Sequence, residues 1–346
     1  MSSQPFDALA KLPPAVNFAV PEIFNAVIEA SNALARLDEI AELLENSAVF
    51  LNLIPVLEAQ ASSRIEQIVT TNDAIFKAQV SGTKPDVATD LALRLRRSIM
   101  LGAELARKRG VTAKLAETIC SELLGCEMKP RTSPGTVIQS NGKTIYTPPS
   151  PAQLPRLLAE WESFVNSSES LHPLIVMALG HYQFEAIHPF SDGNGRTGRV
   201  LNVLALVNSG LLKEPVLQMS GQIEARRHEY YKLLNDVGTK GAWIEWVVFM
   251  LEVVTAAAKN SARKLKAITL LQLTFGERYE TKAEIVQLLF EKPYCQIGHV
   301  VERCGVTRVT AANWLESLQK QGALGSVVSG REKFFVNREL LEVLND

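Results

Sequence analysis

The chain has 346 residues, 47% of them hydrophobic, enough to bury a sizeable core and to form two or three domains. Lys plus Arg number 36 against 37 Asp plus Glu, a formal net charge of −1, so global charge selects neither a nucleic-acid nor an acidic partner. No uninterrupted apolar run is long enough to span a bilayer, and the N-terminal MSSQPFDALAKLPP lacks the charged and apolar blocks of a signal peptide.

The four cysteines, Cys120, Cys126, Cys295 and Cys304, form no CxxC pair and suit no common zinc spacing. Reduced thiols in a cytoplasmic protein without a membrane partner are the expectation. Helical periodicity dominates. It runs through PEIFNAVIEASNALARLDEIAELLEN (21–46), SIMLGAELARKRG (98–110) and AKLAETICSELLG (113–125), with Gly110 and Gly125 as helix stops. PRTSPGTVIQSNGKTIYTPPSP (130–151) then turns polar and Pro/Gly-rich. TVIQ and KTIY flank Asn141-Gly142, a favoured two-residue turn, which predicts a short exposed β-hairpin.

Helices resume at 154–166 and 171–187, and continue after the loop HPFSDGNGRTGR (188–199) at 200–210, 223–237 and 242–258. Beyond about residue 262 a basic helix, ARKLKAITLLQLTF, leads into three short helical patterns. SVVSGREKFFV reads as two strands around Ser329-Gly330, so a winged helix is expected there. The helix Thr307 to Gln321 takes the recognition position, with Arg308, Asn313 and Lys320 polar and Trp314, Leu315 and Leu318 inward; Arg331 and Lys333 fall on the wing. Glu302, Glu316 and Glu332 dilute the positive charge that DNA binding needs, so protein docking is favoured over DNA contact by 263–346.

The loop is dense in chemistry. Gly193, Gly195 and Gly198 satisfy G-x-G-x-x-G, but a helical pattern precedes them where a dinucleotide fold needs a strand. As a P-loop the stretch lacks its Lys and Ser/Thr, because Arg199 and Val200 follow Gly198. As a calcium loop it carries Arg199 where a bidentate Glu belongs. Its residues taken singly describe an anion cradle. The glycines bring backbone N–H groups close to a ligand, and a helix starting near Thr197 aims its positive end there. Arg196 and Arg199 add forked positive charge. Asp192 is the only acid and could hold Mg²⁺ shared with phosphates, and His188 could accept a proton. Together these residues describe phosphoryl or nucleotidyl transfer; a solvated, glycine-rich helix–helix turn is the bland alternative.

HPFSDGNGRTGR resembles the Fic family signature H-P-F-x-[D/E]-G-N-G-R-x-x-R at every fixed position, and flanking elements extend the likeness over roughly residues 35 to 260. The resemblance implies a mostly α fold: a helical-bundle Fic core with a short β-hairpin flap, plus the C-terminal winged-helix unit. It implies transfer of AMP from ATP to a protein hydroxyl. Carried over, His188 is the general base and Asp192 the Mg²⁺ ligand; Gly193, Asn194 and Gly195 form the anion hole. Arg196, Gly198 and Arg199 complete the phosphate site, with Arg199 nearest the γ-phosphate, and Phe190 anchors the loop. The hairpin resembles the family's flap (136–149), which takes a target peptide by strand addition and presents its Tyr, Ser or Thr. Tyr230, Tyr231 and Asn202 are candidates to face the nucleotide.

SSRIEQIVTTNDAIF (62–76) reads as a helix N-capped by Ser62 or Ser63, with Ile65, Ile68 and Val69 inward. It resembles the inhibitory motif [S/T]-x-x-x-E-[G/N] at Ser62 and Glu66, while Gln67 departs from it. The resemblance implies that Glu66 pairs with Arg199 and takes the place of the γ-phosphate. The implied domains are 1–95 with the inhibitory helix near 62–76, 96–262 as catalytic core and 263–346. A homodimer is compatible with this plan. The alternatives are a DNA- or protein-binding regulator on a non-catalytic scaffold, another nucleotide donor, or removal of AMP.

Overall fold

The computed structural model describes residues 6, 7, 9–43, 47–133, 138–140, 143–167 and 170–346. Five helices come first: α1 (Pro21–Glu42), α2 (Ser47–Ile65), α3 (Asn72–Ala78), α4 (Val87–Arg109) and α5 (Ala113–Leu124). A two-stranded hairpin follows, β1 (Ile138–Ser140) and β2 (Lys143–Tyr146), paired antiparallel with Ile138 opposite Tyr146. Its expected turn, Asn141-Gly142, lies outside the described residues. Helices α6 (Leu154–Ser167), α7 (Pro173–Ile187), α8 (Asn194–Asn208), α9 (Met219–Ala225), α10 (Arg227–Lys240) and α11 (Trp243–Arg278) complete the bundle.

The bundle is built around α7. Every residue from Leu174 to Ile187 is buried, as expected of a helix that is apolar on all faces. Two indole N–H groups grip it from neighbouring helices: Trp246 donates to Ala178 O at 2.8 Å and Trp161 to Gly180 O at 2.9 Å. Helix α8, nearly as buried, packs beside α7, and the loop between them lies at one end of the pair. Helix α4 is capped by Asp86, whose carboxylate accepts from the Thr89 N–H. Arg107, Lys108 and Arg109 sit at its negative end, and Gly110 terminates it. Helix α5 ends at Gly125 in the left-handed conformation, φ 71°.

The stretch 62–76 is not one helix. Ser62 and Ser63 form the last turn of α2 and are buried, so neither is an N-cap. Ile68 N–H donates to Ser63 O at 3.0 Å and Gln67 N–H to Arg64 O at 2.9 Å, which is a Schellman end with Gln67 at φ 61°. Val69 is 75% exposed rather than inward, and Thr71 caps a new helix, α3. The sequence pattern hid this break because Gln is an uncommon residue for the left-handed position.

Helix α11 runs unbroken through residue 262, so the basic stretch is its second half and a helix joins bundle to C-terminal unit. That unit comprises α12 (Ala283–Glu291), β3 (Tyr294–Cys295), α13 (Ile297–Cys304), α14 (Arg308–Lys320), β4 (Gly325–Ser329), β5 (Glu332–Val336) and α15 (Arg338–Asn345). Its sheet has three strands in the order β3-β5-β4, one more than the sequence suggested, because β3 is too short to show periodicity. Leu315 and Leu318 of α14 are buried, and Lys282 lies 4.6 Å from the Trp314 ring centre. The unit holds the segment that follows Glu66. Tyr294 Oη donates to Asp73, Asn72 Nδ2 to Asn345 Oδ1 at 2.9 Å, and Ser81 Oγ and Gly82 N–H to the Glu332 carboxylate at 2.8 and 3.2 Å.

Candidate active site

His188 ends α7 in the left-handed conformation, φ 49° and ψ 61°, uncommon outside glycine and asparagine. Its N–H donates to Phe184 O at 3.0 Å, closing the helix. Phe190 then turns inward, 1% exposed, onto Phe184. Asn194 folds back on it: Phe190 N–H donates to Asn194 Oδ1 and Asn194 Nδ2 donates to Phe190 O, both at 2.8 Å. The Asn194 side chain therefore staples the loop, and its contribution to an anion hole comes from the backbone.

Helix α8 starts at Asn194, three residues earlier than expected. Gly193 is its N-cap at φ 81°, a conformation that suits glycine, and Thr197 N–H to Gly193 O (2.9 Å) is the first bond of the helix. The N–H groups of Asn194, Gly195 and Arg196 precede that bond and form the positive end of α8. Arg196 is buried and donates to Asp192 Oδ1 at 3.3 Å; Gly193 N–H donates to the same oxygen at 2.6 Å. The Asp192 carboxylate itself is 71% exposed at the loop's rim. Among the described residues no three metal-ligating side chains cluster. A lone rim carboxylate beside unpaired amides fits a cation held mainly by phosphate oxygens and water, as Mg²⁺ is, rather than a protein cage.

Arg199 is 2% exposed and is held through Nε and Nη2 by the last turn of α2 and the residue just past it. Its Nε donates to Ser62 Oγ at 2.9 Å, and its Nη2 donates to Ser62 O at 3.1 Å and to Glu66 Oε1 at 2.8 Å. Glu66 Oε1 also lies where a side chain at position 195 would begin: a Cβ on Gly195 would meet it at 2.6 Å. The carboxylate thus rests on the first turn of α8, beside both Gly195 and Arg199. Burial pushes the Glu66 carboxyl up, but the charge and hydrogen bond of Arg199, with Arg196 and Arg227, outweigh this and hold it below its ordinary value. Gly198 permits another close approach, that of Glu185 Oε1, which a Cβ would meet at 2.3 Å.

The expected nucleotide-facing residues separate. Tyr230 is 1% exposed, shares a 2.9 Å hydrogen bond with His181 and packs against Trp246 and Phe249, so it belongs to the core and has no face for a ligand. Tyr231 is 39% exposed, edge-on to Tyr230 and under the Arg227 guanidinium. Asn202, 3% exposed and one helical turn beyond Arg199, lines a cavity of about 260 Å³ with Trp161, Met177, His181 and Gly198.

Sequence reasoning passed over three residues. Arg131 reaches the loop backbone from the segment before the hairpin, with Nε 3.0 Å from His188 O. Glu185 is buried with Oε1 unpartnered, and burial lifts its carboxyl to about 7 despite nearby Arg199. Glu58 accepts from Ser220 N–H at 2.8 Å and from its hydroxyl, and burial lifts it also to about 7. None stands in a motif; Arg131 in KPRTSPG looks like any loop cation.

A mostly helical frame that sets a helix N-terminus beside a buried arginine is an arrangement suited to an anion. Comparison with known proteins makes this specific. The Fic/DOC family matches residues 108–206, the Fic/DOC N-terminal family residues 24–104, and the C-terminal domain of SoFic-like protein adenylyltransferases residues 254–340. The chain therefore carries a Fic/DOC-family domain between a Fic/DOC N-terminal region and a SoFic-like C-terminal domain. Among curated relatives, the protein adenylyltransferase Fic of Drosophila ananassae is 26% identical over 223 residues, 62% of this chain and 41% of the relative. That of Aedes aegypti is 40% identical over 92 residues, 26% and 17% respectively. The chain thus spans less than half the length of either. A Fic family protein from Desulfovibrio desulfuricans G20 shares the fold over 94% of this chain and 98% of its own, with a TM-score of 0.60 at 19% identity. A Fic domain containing signaling protein from Bacteroides thetaiotaomicron does so over 68% and 95%, with a TM-score of 0.56 at 14% identity.

Proposed function

We propose that this chain is a protein adenylyltransferase that moves AMP from ATP to a hydroxyl on a target protein and on itself, restrained by Glu66. One observation carries the reading: the Glu66 carboxylate rests on Arg199 and on the first turn of α8, where a phosphate would otherwise be bound. The restraint and the substrate compete for the same cation.

The chemistry follows from the loop. The amides of Asn194, Gly195 and Arg196 and the two arginines hold and orient the phosphates. Asp192 at the rim would hold Mg²⁺ together with those phosphates, and the metal would supply charge neutralisation. The acceptor oxygen attacks the α-phosphorus, forming the new O–P bond. The bond from that phosphorus to the α–β bridging oxygen breaks, and pyrophosphate leaves. His188 accepts the hydroxyl proton. Burial, then the charge of Arg131, lowers its imidazole to about 4, so the ring is neutral and ready to accept at neutral pH. Its Nδ1 is buried without a hydrogen-bond partner among the described residues. A proton on that nitrogen leaves Nε2 as the acceptor. The hairpin β1–β2 registers the target peptide, and Tyr231 borders the base. On this plan residues 1–95 carry the brake, 96–262 the catalytic core and 263–346 a winged-helix unit that docks the target.

The test is transfer of label from α-labelled ATP with Mg²⁺ in wild type, Glu66→Gly and Glu66→Gly with His188→Ala. Strong labelling in Glu66→Gly alone is the expected result. Equal labelling in wild type and Glu66→Gly would remove the brake. ATP that fails to bind Glu66→Gly would remove the adenylyltransferase and leave the regulator.

A further inference from the structure

Arg131 joins two parts of the site that the sequence keeps apart. Its N–H donates to Pro189 O at 2.8 Å. Its guanidinium donates three times: Nε to His188 O at 3.0 Å, and Nη2 to Pro149 O at 2.5 Å and to Ile187 O at 3.4 Å. Three of these four acceptors are consecutive carbonyls around the proton-accepting histidine. The fourth, Pro149, closes the segment leading out of β2. The bonds from Nη2 to Pro149 O and Ile187 O are buried and form out of water's competition, while that from Nε to His188 O is part-buried.

The need for such a clamp is physical. A left-handed, non-glycine residue such as His188 carries backbone strain, and surrounding contacts must overdetermine it. The carbonyls of Ile187 and His188 also end α7, where intrahelical partners run out and a cation is favoured. A planar guanidinium can serve carbonyls on two sides at fixed separation, which a single ammonium cannot.

We propose that Arg131 is a positioning residue that couples the hairpin to the catalytic loop, holding the His188 peptide and the Pro149 end of the flap in one fixed relation. The proposal rests on the adenylyl-transfer reading above. A peptide added to the flap brings its hydroxyl over His188 only if flap and histidine keep their spacing. Arg131 sets that spacing without touching nucleotide or target. Tyr146, whose Oη donates to Ala186 O at 2.9 Å, is a second strut between β2 and α7, but it does not reach the His188 peptide.

The test places Arg131→Met in the Glu66→Gly background and measures steady-state AMP transfer. The kcat is expected to fall at least about tenfold, since a misplacement of about 1 Å costs on the order of 100-fold. KM for ATP should stay within about twofold, because the phosphate-binding amides and arginines are untouched. A kcat within about twofold of the parent, or a matching rise in KM for ATP, overturns the proposal. If Arg131→Met does not fold, Arg131→Lys replaces it; the ammonium reaches one side only, so the same loss of kcat at constant KM is expected and its absence is decisive. Should the Glu66→Gly parent transfer no nucleotide, the functional reading fails by itself. Amide hydrogen exchange of the Arg131 variant then judges the coupling. Faster exchange at both His188 and Thr147 supports it, and unchanged exchange at either overturns it.

Discussion

The Glu66 carboxylate lies 2.8 Å from the Arg199 guanidinium although 133 residues separate them in the chain. Helix α2 is held against the bundle by more than this pair. Glu58 bonds Ser220, and Arg64 pairs with Glu224 at 2.8 Å, both on the α9 side. The Glu66 carboxylate thus sits at the end of a docked helix, and its parting from Arg199 does not require that helix to leave.

Ser62 offers a graded test of the proposed restraint. Its hydroxyl and its carbonyl both accept from Arg199, so the guanidinium has three anchors and only one of them is ionic. Ser62→Ala removes one charge-assisted bond at a buried site, with an expected stability loss of about 1–3 kcal/mol. Labelling from α-labelled ATP should rise above wild type yet stay below Glu66→Gly. Labelling equal to wild type would show that the carboxylate alone restrains Arg199.

Gln67 occupies the left-handed position of the Schellman end at φ 61°. Glycine adopts that conformation without strain, at some cost in unfolded-state entropy. Gln67→Gly should therefore stabilise the chain by about 0.5–1 kcal/mol in urea unfolding. A firmer turn also holds Glu66 more tightly, so basal transfer should fall. A destabilised variant would mean that Gln67 earns its place through its side chain.

The pH profile of transfer should reflect a neutral His188 well into acid. Burial and Arg131 lower its imidazole, while the charges of Glu66 and Asp192 raise it, and the balance is about 4. In the Glu66→Gly variant kcat/KM should stay flat from neutral pH to about 5 and fall as pH approaches 4. Loss of Glu66 removes a raising influence, which moves the limb further down. A limb near the ordinary histidine value would exclude His188, in this environment, as the base.

Glu185 makes the opposite prediction for stability. Burial pushes its carboxyl up to about 7 in the folded chain, above its unfolded value, so the protonated form is favoured by folding. That stability is fully present below the ordinary carboxylate pKa and is lost as pH rises through about 7. Glu185→Gln, which cannot ionise, should gain in melting temperature relative to wild type between pH 5 and pH 8.5. A difference independent of pH would show that Arg199 keeps Glu185 ionised throughout.

The sequence alone determined what is local. HPFSDGNGRTGR places histidine, acid, glycines and arginines within one turn and one helix start, so their spacing along the chain brings them near one another. Helical periodicity likewise revealed α1, α5 and the second half of α4, whose start at Val87 lies eleven residues before the stretch that the pattern marked; Gly110 and Gly125 stop α4 and α5 as expected. Packing decided the rest. Tyr230 and Tyr231 are neighbours in sequence, but helix rotation sends one into the core and leaves the other exposed. Ser62 looks like a cap until α2 is seen to continue back to Ser47. Arg131 carries no pattern, because its role depends on carbonyls at 149, 187 and 188 that only the folded chain gathers around one guanidinium. Local chemistry is written in spacing, whereas the partners of a buried charge are chosen by which helices the core brings together.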